Sequence, residues 1–479
     1  MKKVLLINPA SALRVYSGSK IRAVIPKLPS MSLAMIAGSL LGEGATVKIL
    51  DLLLYKSQEA DAVTKKEILQ FKPDIVGVTA ATPLFYEAAR VSDIAKEVSK
   101  EILTILGGPH ASSLPVESLR ESTFDIVIAG EGESAVKKII KNSNLGPEEG
   151  IYRRSCIDEI NSSQGERTPH EMSLDNLPFP ALELFNAKKY VCSRVIARNN
   201  PVGPLEMSRG CASNCSFCNK TVHGRIFRIK SPTRIIDELC VLKRLGYKEF
   251  HVLDDQFTTD IDKAKHICEA IIKERINMSW NLRTGIRADR IDQEFLDLAK
   301  RAGCYQMGVG FESGNQESLD LAGKGITLEE SLKAARMVKK SGMEIAGFFM
   351  LGLANETVET MEETIRFAVK LNLDYAKATI LVPFPGTRIY DEFEKKGRIK
   401  TKDWSRYNFH AASEIYTHPT LSWKCLNHYY ELFHRRFYFR PEYLIRRLWK
   451  SLIQGRLFFD LYCAYQTFFE KKKSKSKKV

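Results

Sequence analysis

Short apolar runs separated by longer stretches of helical periodicity open the chain. Val4 to Ile7, Val47 to Leu50, Ile75 to Thr79, Leu103 to Leu106 and Asp125 to Ala129 read as strands buried on both faces. Enough chain lies between them for a helix each time, and that alternation predicts a parallel, doubly wound α/β sheet over residues 1–142. From about Ser143 to Val202 the periodicity fades and prolines gather in SSQGERTPHEMSLDNLPFPALEL, which predicts a linker over 143–202 that wraps onto the next domain. A second alternating series begins at Pro204. Its strands are predicted near Leu205 to Ser208, Glu249 to Leu253, Ser279 to Arg283, Gln306 to Phe311, Ile345 to Met350 and Ala376 to Leu381. Six strand-helix units fall short of the eight that close a barrel, so 203–399 should form a partial, open one. Over 400–479 helical, aromatic and basic sequence takes over, and no internal repeat of fixed period is visible.

At 479 residues, 44% hydrophobic and 27% charged, the chain is globular and long enough for two or three domains. The net charge of +15 is concentrated in the last third and the Lys-rich end, which suggests an anionic partner for the C-terminus. The ten cysteines run from Cys156 to Cys463 with one close group of three, unlike a secreted disulfide framework, so a reducing cytoplasm is expected. MKKVLLINP is too short in its apolar run for a signal peptide, and no stretch reaches the roughly 18 apolar residues of a spanning helix. A cytoplasmic protein, soluble or attached to a membrane surface, is expected.

The close group is MSRGCASNCSFCNK, in which Cys211, Cys215 and Cys218 are spaced C-x-x-x-C-x-x-C just after the first strand of the second series. Gly210, Ala212, Ser213 and Asn214 are small or turn-forming and let the thiols converge. A 4Fe-4S cube held by three cysteines leaves one iron open to a substrate ligand. Structural zinc would want a fourth ligand, usually in a second C-x-x-C pair; only His223 is at hand. An electron-carrier ferredoxin would bring a fourth nearby cysteine, and none is present.

With the aromatic Phe217 beside the last cysteine, the segment from about Gly203 to Ile399 resembles the radical SAM enzymes. The resemblance implies that S-adenosylmethionine chelates the open iron and is cleaved to a 5'-deoxyadenosyl radical that abstracts a substrate hydrogen. It implies as a partner an electron donor such as ferredoxin or flavodoxin. It also implies SAM contacts: Asp254 and Asp255 of LDDQFT near the methionyl amine, Arg283 of NLRTGIRAD for a carboxylate, and Glu312 and Ser313 of GVGFESG for ribose or amine. GFFMLGL and LVPFPGTRIY resemble the adenine-side segments. Taken singly, each is equally readable as a cap or core-edge residue.

Gly-rich turns end strands of the first half: LGGPHAS (Leu106 to Ser112) and AGEGES (Ala129 to Ser134). Glycines there let backbone approach a large ligand at the crevice of an open parallel sheet. Together with GVTAATPLF (Gly77 to Phe85) and KLPSMSLAMIAGSL, the pattern is similar to the cobalamin-binding domain fused to many radical SAM enzymes. The resemblance assigns Thr79, Thr82, Gly107, Gly108, His110, Gly130 and Glu131 to the cobalamin pocket. The D-x-H-x-x-G motif of the mutase-type domains is absent from the sequence. Cobalamin would then bind with its own base displaced and no protein His on cobalt, or the domain has lost the cofactor. The group resembled includes the anaerobic magnesium-protoporphyrin ester cyclases and the hopanoid C-methyltransferases. It implies C-methylation of an unactivated carbon, one SAM methylating cobalamin and a second supplying the radical. The alternatives are radical cyclisation, oxidation or coupling of a lipid or tetrapyrrole and, from another class, a non-catalytic electron-transfer or sensor protein.

Near the end, Phe437, Tyr443, Leu444, Leu448, Trp449, Leu452 and Phe458 make an apolar stripe beside Arg440, Arg446, Arg447, Lys450 and Arg456. An interfacial helix on an anionic membrane, aided by the six lysines from Lys471 onward, has this pattern. So does a helical cap on the barrel ending in a solvated tail. No nucleic-acid recognition motif is present, and no nucleic-acid partner is expected.

Overall fold

The computed structural model describes residues 1–9, 26–142, 148–159, 167–194, 196–408, 414–453, 455 and 457–468. The first sheet comprises β1 (Lys3–Asn8), β2 (Thr46–Asp51), β3 (Ile75–Thr79), β4 (Leu103–Gly107), β5 (Ile126–Ile128) and β6 (Ile151–Arg153), in the order β2-β1-β3-β4-β5-β6. Its first five strands are parallel, and β6 runs antiparallel to β5. Both faces are covered: Val4 and Leu6 enter one core while Leu5 and Ile7 enter the other, as the pleat requires. The order reverses at β1, which places a ligand crevice at the carboxyl ends of β1 and β3.

β6 lies inside the stretch expected to be a linker. Much of the remainder is also packed down: Leu174 and Leu182 are buried, Ala181 N donates to Ala34 O at 2.9 Å, and the Tyr190 hydroxyl donates to Asp51 at 2.7 Å. A three-residue strand among polar neighbours is too short to show a period.

The second series supplies β7 (Val202–Leu205), the two-residue β8 (Ser208–Arg209) and β9 (Arg228–Ile229), then β10 (Glu249–Val252), β11 (Ser279–Ile286), β12 (Cys304–Glu312), β13 (Glu344–Leu351) and β14 (Tyr375–Ile380). β7 and β10 to β14 form one parallel sheet in the order β14-β13-β12-β11-β10-β7, an arc whose outer strands do not meet, hence an open barrel. The first strand ends at Leu205 instead of continuing to Ser208. Asp254 captures Met207 N at 2.8 Å, and Ser208–Arg209 turns away to pair with β9. Ser231, Asp260, Asp292, Thr327 and Thr357 each accept from the backbone N–H three residues on, which fixes where the intervening helices begin.

After β14 the chain returns to the first sheet. Tyr390, Trp404, Tyr407 and Tyr416 share a core with Val78, Phe85 and Leu106, and Trp404 Nε1 donates to Glu121 at 3.0 Å. The helix Trp423–Tyr438 then lies on β14, burying Leu426, Phe433 and Phe437. Helices Pro441–Ile453 and Leu457–Phe468 come next. The expected C-terminal stripe is therefore split: Phe437 and Tyr443 are buried, while Leu444, Leu448, Trp449, Leu452 and Phe458 stay exposed. Arg456 and the lysines from Lys471 lie outside the described residues. No described helix is long and apolar enough to cross a membrane.

Candidate functional site

The three cysteines sit on the loop between β8 and β9, which other parts of the fold pin down. Gly210 opens it at φ +80°, where an added Cβ would lie 2.2 Å from Ile226 O, so the crossing admits only glycine. Gly210 N donates to Asp255 at 2.9 Å. Lys220 Nζ donates to Cys211 O at 3.0 Å and to Ser213 O. Arg287 reaches Ser213 Oγ at 3.1 Å, Ser216 N donates to Ala322 O at 2.8 Å, and Ile389 N to Ser216 O at 3.0 Å.

Cys218 is exposed to a cavity; desolvation by the surrounding protein, then the neighbouring Cys215 and Cys211 thiols, push its own thiol up to about 12 against the pull of Lys220. Burial likewise raises Cys215, opposed by Lys324. The three thiols share one short loop with Lys220 and Lys324 acting on them as cations, a donor set of the type that holds iron-sulfur clusters. Among the described residues no three His, Cys, Asp or Glu side chains gather tightly enough for a single ion. His223, the fourth ligand a zinc site would recruit, places Nδ1 3.0 Å from Glu131 instead.

Facing the loop across a cavity of about 780 Å³ are the carboxyl ends of the first sheet. Thr79, Thr82, Gly107, Gly108, Gly130 and Glu131 line one wall; Cys211, Cys218, Asn219, Lys220, His223 and Asp255 line the other. The cavity continues as an apolar slot past Leu6, Leu33, Ile36, Leu40, Val136 and Ile139, between the sheet and helices Met31–Gly42 and Glu133–Lys141. At Gly107 an added Cβ would meet nothing within 4 Å, so the missing side chain leaves cavity space. Gly108 differs: at φ +96° its Cβ would lie 2.6 Å from Thr79 Oγ1, so glycine is required by the turn itself. Ser112 Oγ ties the two glycine turns together, donating to Gly108 O and accepting from Gly130 N, each at 2.9 Å.

His110 does not line this cavity. It is buried between Phe85 and Trp404, with ring centroids 4.4 and 5.4 Å away, and its Nδ1 is 3.3 Å from Thr82 Oγ1. Burial pushes it down to about 3, so it is neutral packing behind the wall.

Of the expected SAM contacts, Asp255 lines the cavity and is exposed. Asp254 is buried and accepts from Met207 N and Ser208 Oγ (2.6 Å); burial pushes it up to about 8. Arg283 donates to Ile196 O at 3.2 Å. Glu312, at φ +64°, is clasped by Lys324 at 2.8 Å beside Cys215, and Gly310 makes room, since its Cβ would fall 2.6 Å from the Glu312 carboxylate. Ser313 is fully buried, its hydroxyl shared with Glu356 (3.3 Å) and Thr364 (3.0 Å), which closes it to a ligand. Phe217 packs, half-buried, on the core beneath the first sheet.

Sequence reasoning missed an ion network joining the two walls. Glu131 takes Arg228 at 2.6 Å, His223 at 3.0 Å and Arg209 at 3.3 Å; Arg209 also holds Glu133 at 2.6 Å and Glu206 at 2.7 Å. Burial works to raise Glu131, but the bonds from His223 and Arg228 and the field of Arg209 outweigh it and hold the carboxyl well below its usual range. Asn219 adds a neutral bridge, donating to Ser113 Oγ at 2.8 Å and Pro385 O at 2.7 Å. The one local signal was Arg209, directly before the cysteine loop.

The Radical SAM superfamily model matches residues 205–368, and the B12 binding domain model matches residues 21–140. An uncharacterized methyltransferase of Pyrococcus horikoshii is 34% identical over 410 residues, covering 85% of this chain and 86% of its own length. The anaerobic magnesium-protoporphyrin IX monomethyl ester cyclase of Rubrivivax gelatinosus is 31% identical over 416 residues, covering 85% and 72%. Among solved structures, the cobalamin-dependent S-adenosylmethionine radical enzyme OxsB, with aqua-cobalamin and S-adenosylmethionine bound, shares the fold with a TM-score of 0.71 at 18% identity, over 98% of this chain and 72% of that one.

Proposed function

The chain belongs to the cobalamin-dependent radical SAM enzymes, and from that premise we propose that it methylates an unactivated carbon of a small-molecule substrate. One observation carries the reading: the glycine turns of the first sheet and the cysteine loop are opposite walls of a single cavity, so ligands held by each would meet the same substrate.

In this reading Cys211, Cys215 and Cys218 hold a 4Fe-4S cluster, and Asp255, Arg283 and Glu312 contact SAM. Thr79, Thr82, Gly107, Gly108, Gly130 and Glu131 would cradle cobalamin, and the apolar slot past Leu33, Ile36 and Val136 would hold the part of it that reaches beyond the sheet. When bound, the cluster with SAM supplies a 5'-deoxyadenosyl radical and cobalamin supplies the methyl carrier. The chain's own residues fix the geometry. Lys220 and Arg287 hold the cysteine loop rigid from below. Lys324 neutralises Glu312 so that a half-buried carboxylate does not repel the thiolates. Asp254, protonated near neutrality, holds the joint between β7 and the loop without adding charge. The apolar slot lining excludes water from a reactive centre. Electrons come from a ferredoxin or flavodoxin.

The test is anaerobic reconstitution with iron, sulfide and hydroxocobalamin, then mass spectrometry after reduction with SAM and candidate substrates. Methylation yields S-adenosylhomocysteine together with 5'-deoxyadenosine and a product heavier by one methylene. Cyclisation or oxidation yields 5'-deoxyadenosine alone and refutes methyl transfer. A cluster that leaves SAM intact under dithionite refutes the enzyme reading of the site.

A further inference from the structure

The helix Pro441–Ile453 sits on the barrel the wrong way round for a soluble protein. A surface helix normally turns its apolar stripe to the core and its charges to water. Here the polar face is turned inward. Arg446 donates to Leu373 O at 2.7 Å, Arg447 to the Tyr375 hydroxyl at 2.8 Å, and Lys450 pairs with Glu344 at 2.8 Å and Asp374 at 3.1 Å. Leu444, Ile445, Leu448, Trp449, Leu452 and Ile453 face outward, with Ile445, Trp449 and Ile453 each about two-thirds exposed (69, 68 and 70%). The next helix extends the surface with Phe458, 87% exposed, and Tyr462. A contiguous apolar patch of this kind marks an interaction site.

We propose that this helical pair docks the protein on an anionic lipid surface. Three observations choose lipid as the occupant. Trp449 and Tyr462 are the amphipathic aromatics favoured at a membrane interface. The sequence runs on from the patch into KKKSKSKKV, whose six lysines are complementary to acidic headgroups, each worth about fivefold in binding when close to the surface. A second copy covering the same patch would instead bring two such tails together. The helix's own cations are occupied by the barrel, and no described helix is long and apolar enough to span a bilayer, so the pair lies in the interface plane. Glu344, Asp374 and Tyr375 lie at the amino-terminal ends of β13 and β14, away from the strand ends that face the cysteine loop, and none of them lines the cavity.

The experiment is flotation of the full-length protein with vesicles of phosphatidylcholine, alone or with about 30% phosphatidylglycerol. The expected result is flotation with the anionic vesicles, weakened at least a hundredfold by Ile445→Glu/Trp449→Glu/Ile453→Glu, since each of these large side chains contributes roughly tenfold. Replacing the six lysines by Gln should weaken anionic binding and remove its salt dependence. All substituted residues lie on the exposed patch or the tail, and an unchanged circular dichroism spectrum confirms folding. The proposal is overturned if the wild-type chain stays in the dense fraction with anionic vesicles, or if the triple variant floats as well as wild type. It is equally overturned if light scattering finds a dimer that the triple variant dissolves while neither floats, which assigns the patch to a second copy.

Discussion

Replacing Glu131 by Gln keeps the shape of the side chain and removes the one negative charge that Arg228 and His223 share. Glu131 and Arg228 are almost fully buried, with side-chain exposures of 4 and 2%. Breaking a buried pair on one side costs about 3–5 kcal/mol, because the surviving charge is left without compensation. Arg209 keeps Glu133 and Glu206, so its loss is small. Arg228 keeps only the carbonyls of Glu171 (2.8 Å) and His223 (3.2 Å). The expected cost is therefore about 3 kcal/mol, at the lower end of that range. For a chain of 479 residues unfolding as one unit it lowers the melting temperature by about 3 °C. Scanning calorimetry of the full chain at neutral pH measures it, and Arg228→Met added to Glu131→Gln should recover part of the loss. The carboxyl is held below its unfolded value of 4.5, so its contribution is complete above that pH and disappears only as acid protonates the folded form. Titration of the carboxyl itself therefore plays no part from pH 6 to 8. Glu131 raises His223 above its ordinary 6.5, however, so the cost of Glu131→Gln should be largest below 6.5 and shrink as pH rises and His223 loses its charge. A shift of less than about 1 °C would refute the view that this carboxylate binds the two walls together.

Four other substitutions have expected outcomes at the site. Gly107→Ile places its side chain in open cavity space and should leave stability within about 1 kcal/mol while weakening cobalamin binding at least tenfold by absorbance titration; Gly108→Ala, strained at φ +96° and against Thr79, should lose stability instead. Asp254 has a folded value of about 8 against 3.8 unfolded, so the stability it contributes is fully present below 3.8 and lost as pH rises through 8; Asp254→Asn, which mimics the protonated acid, should flatten urea midpoints over that window, and parallel profiles would contradict the assignment. Cys215→Ala should abolish SAM cleavage, read as 5'-deoxyadenosine, while leaving the cobalamin spectrum intact, because the glycine-turn wall is built from other strands.

The parallel sheets were legible because their strands are continuous apolar runs, and the cysteine spacing stands out without any structure. The features that stayed hidden depended on distant partners. β7 stops early because Asp254 takes the Met207 amide, and nothing near Met207 announces that. His110 sits in a glycine turn that suggested a ligand contact, but Trp404, far along the chain, closes over its ring. The network around Glu131 draws on residues from the first sheet and from the cysteine loop, and apart from Arg209 beside that loop no local pattern records such pairing. Periodicity also revealed that the helix Pro441–Ile453 has an apolar face without revealing which way it turns. The acids Glu344 and Asp374 on the barrel rim decide that by claiming Lys450.

Two cofactor sites opening onto one cavity are the premise of the proposed chemistry. Spin resonance of the anaerobically reconstituted protein, with cobalamin in its paramagnetic cobalt(II) form and the cluster reduced, tests this directly. The predicted result is a cobalt signal broadened or split by the nearby cluster in the wild type and restored to its isolated shape in Cys215→Ala. Two signals that simply add, unchanged by that substitution, would contradict it.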